Sequence, residues 1–203
     1  EALDTVAESA KWAVGHASGL NMILIRGDVY QDSGAHAVQE LAFVLASVVE
    51  HIRALQARGL DLKTIFSNVS FLFAVGPHFF MEVAKLRAAR MLWSQVVTAY
   101  DVDAADYPAK LHVRSAQWNK TRLDPYVNML RTTTEGIAAA VGGIESLELA
   151  PFDASFRQPD AFSERIARNQ QAILLSEAHL TEVTDPAAGS YYVEWLTDQV
   201  AKR

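Results

Sequence analysis

The stretch from Leu111 to Gly143, LHVRSAQWNKTRLDPYVNMLRTTTEGIAAAVGG, constrains this chain more than any other. It opens on an alternating run, Leu111-His112-Val113-Arg114-Ser115, which suits a strand because successive strand side chains point to opposite faces. A polar turn follows, and Asp124-Pro125 predicts a helix start. Aspartate can cap the free amides, and proline at the first helical position gives up no hydrogen bond. The helix is predicted to run through Leu130, Ile137 and Val141 and to stop at Gly142-Gly143. Strand, loop, capped helix and glycine stop make one unit of a parallel α/β fold.

The rest of the chain follows the same plan. A helical stripe of Val6, Ala10, Trp12, Ala13 and Val14 comes first. Asn21 to Arg26 is an apolar run of strand length ending at Gly27, of the kind covered on both faces. A loop from Gly27 to Gly34 leads to a helix from about Ala35 to Ala57, closed by Gly59. Val69 to Val75 is the next buried strand candidate, stopped by Gly76-Pro77, and the following helix carries Phe80, Val83, Leu86, Met91 and Val96. Ser146 to Ala150 reads as a short fourth strand, Asp160 to Ala178 as a helix, and Tyr192, Trp195 and Leu196 as part of a last one. Strands alternating with long helices imply right-handed crossovers and a parallel sheet, preceded here by a helix. Four such units suit either an open sheet or half of an eight-stranded barrel, and spacing alone leaves both open.

Composition narrows the function classes. A net charge of −6 and a pI near 5.5 give no electrostatic case for nucleic acid or an anionic membrane. No apolar stretch is long enough to span a bilayer, and no cationic start precedes an apolar core, so neither a membrane span nor a signal peptide is expected. The absence of cysteine excludes disulfides, thiolate chemistry and cysteine-bound zinc, and it fits a cytoplasmic protein. The six histidines (16, 36, 51, 78, 112 and 179) show no metal-ligand spacing. There is no dinucleotide fingerprint, Walker loop or GxSxG elbow.

Among the polar residues Arg114 is the most informative. It shares a strand face with His112, and a buried guanidinium needs an acid or a phosphate. Glu145 and Glu148, near or on the following strand, are its expected partners. Glu82 and Lys85, three apart on one helix, read as a local surface pair worth about 0.2–0.5 kcal/mol. Arg165, Arg168 and Asn169 are expected to fasten their helix to a neighbour, and Asp185-Pro186 to form a helix or turn cap.

The segments FFMEVAKLRAARMLW, WNKTRLDPYVNMLRTTTEGIAAAVGG, FSERIARNQQAILLSEAHL and DPAAGSYYVEWLT carry a family resemblance. The chain resembles the adenosylcobalamin-dependent acyl-CoA mutases, the methylmalonyl-CoA mutase family, over nearly its whole length. The resemblance implies a (β/α)8 barrel, of which residues 1–203 are one partial domain, strand–helix units five to eight, without the family's cobalamin-binding domain.

The departures from the family pattern matter as much as the matches. Where active members have a Tyr-His pair whose histidine hydrogen-bonds the substrate thioester, this chain has Asp28-Val29, and valine donates no hydrogen bond. Where the family has small serines along the coenzyme A lane, it has Met22, Leu24 and Arg26, which are expected to block the tunnel. The family's glutamine near the adenosyl group corresponds to Arg114, its histidine on the eighth strand to Glu148, and its ribose-binding acid to Ala154. Val29, Tyr30, Gln31, Arg114, Glu148 and Ala154 are thus former substrate- or cofactor-site positions, with no catalytic residue and no metal ligand among them. An Arg114–Glu148 pair is expected to replace the lost ligand contacts.

These changes are similar to those of the small, non-catalytic subunit of heterodimeric mutases. The resemblance then implies a cytoplasmic isomerase complex in which this chain binds no cofactor, adenosylcobalamin belongs to the parent complex, and the partner is a catalytic large subunit. Two rivals follow from the same residues. One is a divergent acyl-CoA mutase that keeps substrate binding. The other is a self-associating half-barrel scaffold, with a homodimer formed through its open edges.

Overall fold

The computed structural model describes residues 2–17, 19–180 and 182–203. Helix α1 (Ala2–His16) precedes β1 (Ile23–Arg26), the short α2 (Asp28–Asp32), α3 (Ala37–Gln56) and α4 (Leu62–Asn68). Then come β2 (Val69–Val75), α5 (Phe79–Ala99), a 3₁₀ turn at Ala104–Asp106 and β3 (Leu111–Ser115). The chain continues with α6 (Val127–Val141), β4 (Ser146–Glu148), α7 (Ala161–Ser176) and α8 (Tyr191–Lys202). The four strands form one sheet in the order β1-β2-β3-β4, every neighbouring pair parallel. This is the architecture of half a (β/α)8 barrel, with a helix in front.

Strand alternation divides the sheet into two faces. Ile23 and Ile25, Phe71 and Phe73, and Leu111 and Val113 point to one side, each no more than 3% exposed. There they meet Leu41, Val44, Val48 and Ile52 of α3 and Val83, Leu86 and Trp93 of α5 in one continuous core. Each such aliphatic or aromatic side chain contributes about 1.5–3 kcal/mol by leaving water. The opposite face carries Leu24, Arg26, His112, Arg114, Ser146 and Glu148, and Leu24 is 47% exposed. The run Asn21–Arg26 is therefore covered on one side among these residues, not on both, because the helices pack on one side of the sheet.

Several boundaries differ from expectation for local reasons. Asp124 does not cap α6: proline disfavours the helical region for the residue before it, and Asp124 takes φ +47 instead. Its carbonyl accepts the Val127 amide, and the helix starts there. At the far end Gly143 adopts φ +73, the left-handed conformation that closes helices. β4 stops at Glu148 because the Ala150 amide donates to Ser115 Oγ (2.9 Å) rather than to the strand ladder. The segment between Gly27 and Gly34 contains α2, and α4 was not expected at all; its signal was Asp61, whose carboxylate accepts the Thr64 amide at 2.7 Å. The α7 start agrees with expectation, Asp160 and Ser163 forming a reciprocal capping box.

Candidate functional site

The strands end together at one rim, where TIM-type barrels place their chemistry. In register, Arg26, Leu72, His112 and Ser146 form one row across the open face, and Ala74, Arg114 and Glu148 the next. Gly27 lets the chain turn off β1: a Cβ there would lie 2.8 Å from Val44 Cγ2 and 3.1 Å from both Glu40 Oε1 and Phe73 Cδ1. The turn sets Asp28 beneath the rim, fully buried.

Asp28 binds two guanidinium groups at once. Arg26 donates from Nε to Oδ1 (3.0 Å) and from Nη2 to Oδ2 (2.7 Å), and Arg114 donates from Nε to Oδ2 (2.8 Å). Arg114 Nη2 also meets Asp32 at the end of α2, whose other oxygen accepts the Gln117 amide at 3.1 Å. Burial opposes ionisation of Asp28, yet the bonds from Arg26 and Arg114 outweigh it and hold the carboxyl below the usual carboxylate range. The lattice ties β1, α2, β3 and the loop after β3 to one another.

Arg114 therefore has acidic partners, as a buried guanidinium requires, but they are Asp28 and Asp32, not Glu145 or Glu148. The sequence pointed forward to the next strand; the side chain reaches back across β2, where Ala74 leaves room for it. Glu148 is exposed, and Glu145 pairs instead with Arg90 (3.2 Å) and with the Leu111 amide. His112 contacts Ser146 across the β3–β4 pair.

Of the other positions expected to be former sites, Val29, Tyr30 and Gln31 lie together on α2 but face different surroundings. Val29 is 42% exposed, and Tyr30 packs its ring 5.1 Å from that of Phe43. Gln31 is buried beside Gly76, and its Oε1 accepts no hydrogen bond. Ala154 is exposed beyond β4. Of the proposed tunnel residues, Leu24 and Arg26 stand on the open face, whereas Met22 packs against the core.

Two buried ion clusters lie behind the rim. Lys85, wholly inaccessible, donates to Glu40 Oε2 (2.7 Å) and to the Ala74 carbonyl (2.6 Å), and sits 2.5 Å from Glu82 Oε2. It is not a surface pair: the two carboxylates overcome the cost of burial and keep its pKa above the ordinary lysine value. Lys120 and Glu135, from the WNKT and TTTE segments, pair at 2.8 Å, with Asn119 donating to the same carboxylate at 2.6 Å. Burial pushes Lys120 down and Glu135 up, each toward its neutral form. The i,i+3 spacing marked Glu82 and Lys85, but not Glu40 or the Lys120–Glu135 pair, whose partners lie on different elements or loops.

Elsewhere, Arg87 pairs with Asp185 and Glu194, both at 3.0 Å, and Asp185 turns the chain into α8 as expected. Arg165, Arg168 and Asn169 are exposed on α7. The fastening comes from the adjacent Gln170, which donates to the Met129 carbonyl and Thr133 Oγ1 of α6, both at 2.7 Å. A cavity of about 950 Å³ lies away from the rim, among Arg87, Val141, Leu147, Leu174 and Glu194. Among the described residues no group of three or more acidic or histidine side chains is arranged to hold a metal ion, and no helix is long and apolar enough to cross a membrane.

A family model described as methylmalonyl-CoA mutase matches residues 1–203. The chain is 45% identical to the methylmalonyl-CoA mutase small subunit of Porphyromonas gingivalis, over 84% of this chain and 28% of that one. It is 44% identical to the small subunit of Streptomyces virginiae, over 97% of this chain and 32% of that one. Against the probable large subunit of Mycobacterium bovis the identity is 42%, over 90% of this chain and 24% of that one. The chain thus spans roughly a quarter to a third of the length of these relatives. With this sheet, and with the match extending from end to end, the chain belongs to the methylmalonyl-CoA mutase family.

Proposed function

We propose that this chain is the carboxy-terminal half of the barrel, units five to eight, of the small, non-catalytic subunit of a methylmalonyl-CoA mutase. Its role is structural: it stabilises a catalytic large subunit in a cytoplasmic complex that interconverts methylmalonyl-CoA and succinyl-CoA. The observation that carries this reading is the ion lattice at the rim. A substrate site needs donors free to meet the thioester, and here Arg26 is bound to Asp28 and Arg114 to both Asp28 and Asp32. Val29 offers only an isopropyl group, and Leu24 and Arg26 project where the family's lane of small residues is expected to run.

The residues present do not fit an adenosyl group. Arg114, at the position of the family's glutamine, is committed to two carboxylates, and Ala154 has no acceptor for a ribose hydroxyl. Glu148 stands where the family has a histidine. Adenosylcobalamin is accordingly assigned to the large subunit, and this chain contributes no step of the isomerisation.

Isothermal titration of the full-length protein with methylmalonyl-CoA tests the reading and is expected to give no binding heat. Adding the protein to the large subunit is expected to raise the thermal stability of the assembled mutase. The divergent-mutase reading stays in view because identity to a relative named as a large subunit is nearly as high. Stoichiometric acyl-CoA binding that disappears in Arg114→Ala would establish that rival and overturn the structural role.

A further inference from the structure

Asp28 is held as a bound carboxylate would be held. Its two oxygens receive three charge-assisted bonds, two of them side by side from Arg26, the paired geometry in which guanidinium recognises carboxylate. Arg26 ends β1 and Arg114 lies on β3, so the two converge over the intervening strand at Ala74, which is itself fully buried. Asp32 anchors Arg114 independently of Asp28. Arg26 leaves 55% of its side chain exposed, which connects the cluster to the open face.

The charges favour one class of occupant. Without Asp28 the cluster of Arg26, Arg114 and Asp32 carries one net positive charge. A monoanion neutralises it, whereas a dianion such as sulfate leaves an excess negative charge in a half-buried site. Cutting aspartate back to alanine removes the carboxylate and keeps Cβ, so the space vacated is that of a one-carbon acid.

We propose that Arg26 and Arg114 form a carboxylate-binding site filled by the protein's own Asp28, and that a free monocarboxylate of formate size takes its place once that side chain is cut back to alanine. The inference rests on the reading of a rim closed to acyl thioesters and gives its chemical basis: the site is occupied from within.

The test is thermal unfolding of full-length Asp28→Ala in sodium formate, sodium chloride and sodium sulfate at matched ionic strength. The variant is expected to melt below the wild type. Formate at about tenfold its dissociation constant is expected to raise the midpoint by about 3–6 °C, saturably, with no such response in the wild type. Adding Arg114→Gln to Asp28→Ala is expected to abolish the response. A folded Asp28→Ala protein that responds no more to formate than to chloride overturns the proposal. Should that variant not fold, refolding yield from urea replaces the midpoint, and equal yields in formate and chloride overturn it. Acyl-CoA binding to the wild type, by contrast, would sink the structural-subunit reading and leave the formate response intact.

Discussion

Asp28 shows how far one residue's environment can depart from its sequence context. It follows a glycine at the end of an apolar run, a place where an exposed turn acid is the ordinary expectation, and it is fully buried. Because its pKa is depressed in the folded protein, the unfolded chain takes up the proton first as pH falls. Its stabilising contribution is therefore complete above the ordinary value near 3.8 and disappears as pH drops through the lower, folded value. Asp28→Asn is expected to cost about 2–4 kcal/mol at pH 7, less than a fully buried pair because Arg26 is half exposed. Urea unfolding should show the gap between wild type and variant closing below about pH 4. A gap unchanged from pH 7 to pH 3 would mean that the carboxylate charge does not matter.

At the scale of elements, the Lys85 cluster makes one rigid junction out of three pieces. Lys85 and Glu82 come from α5, Glu40 from α3, and the Ala74 carbonyl and Gly76 amide from the end of β2. The same Glu40 also accepts the Ala74 amide at 3.2 Å, so the strand end is gripped through both its donor and its acceptor. Lys85→Met keeps most of the length of the side chain but leaves two acids without their cation. It is expected to destabilise the protein by about 3–5 kcal/mol in chemical denaturation. Lys85→Met combined with Glu40→Gln should recover part of that loss, since the remaining buried charge is then smaller. A single variant within 1 kcal/mol of wild type, as is common for a surface pair, would contradict the role assigned to the junction.

For the molecule as a whole, the decisive feature is that one sheet face is insulated by helices and the other is not. The open face presents Leu24, with β1 and β4 as edges that lack a neighbouring strand among the described residues. Edges of this kind pair with other chains unless they are covered. Isolated as residues 1–203, the chain is expected to self-associate, its light-scattering mass rising with concentration at micromolar levels. Leu24→Lys should weaken that association by placing charge on the open face. A concentration-independent monomer would show that the exposed strands are inert.

The alternation of four strands with long helices was legible from residue types, because short apolar runs and long amphipathic stretches bury themselves in only a few ways. The half barrel came from the family resemblance, and the short helices α2 and α4 were not foreseen. β2 and β3 lie where the patterns of Val69–Val75 and Leu111–Ser115 put them. Family membership was legible too, carried by long ungapped segments such as WNKT and DPYVNMLRTTTE. What tertiary structure decided was the pairing of charges. Arg114 chose Asp28 and Asp32 over the nearer Glu148, and Lys85 turned inward to Glu40 from what read as a surface face. Periodicity reports which way a side chain leaves its own element, whereas an ion pair depends on which other elements arrive beside it, and that is known only once the chain has folded.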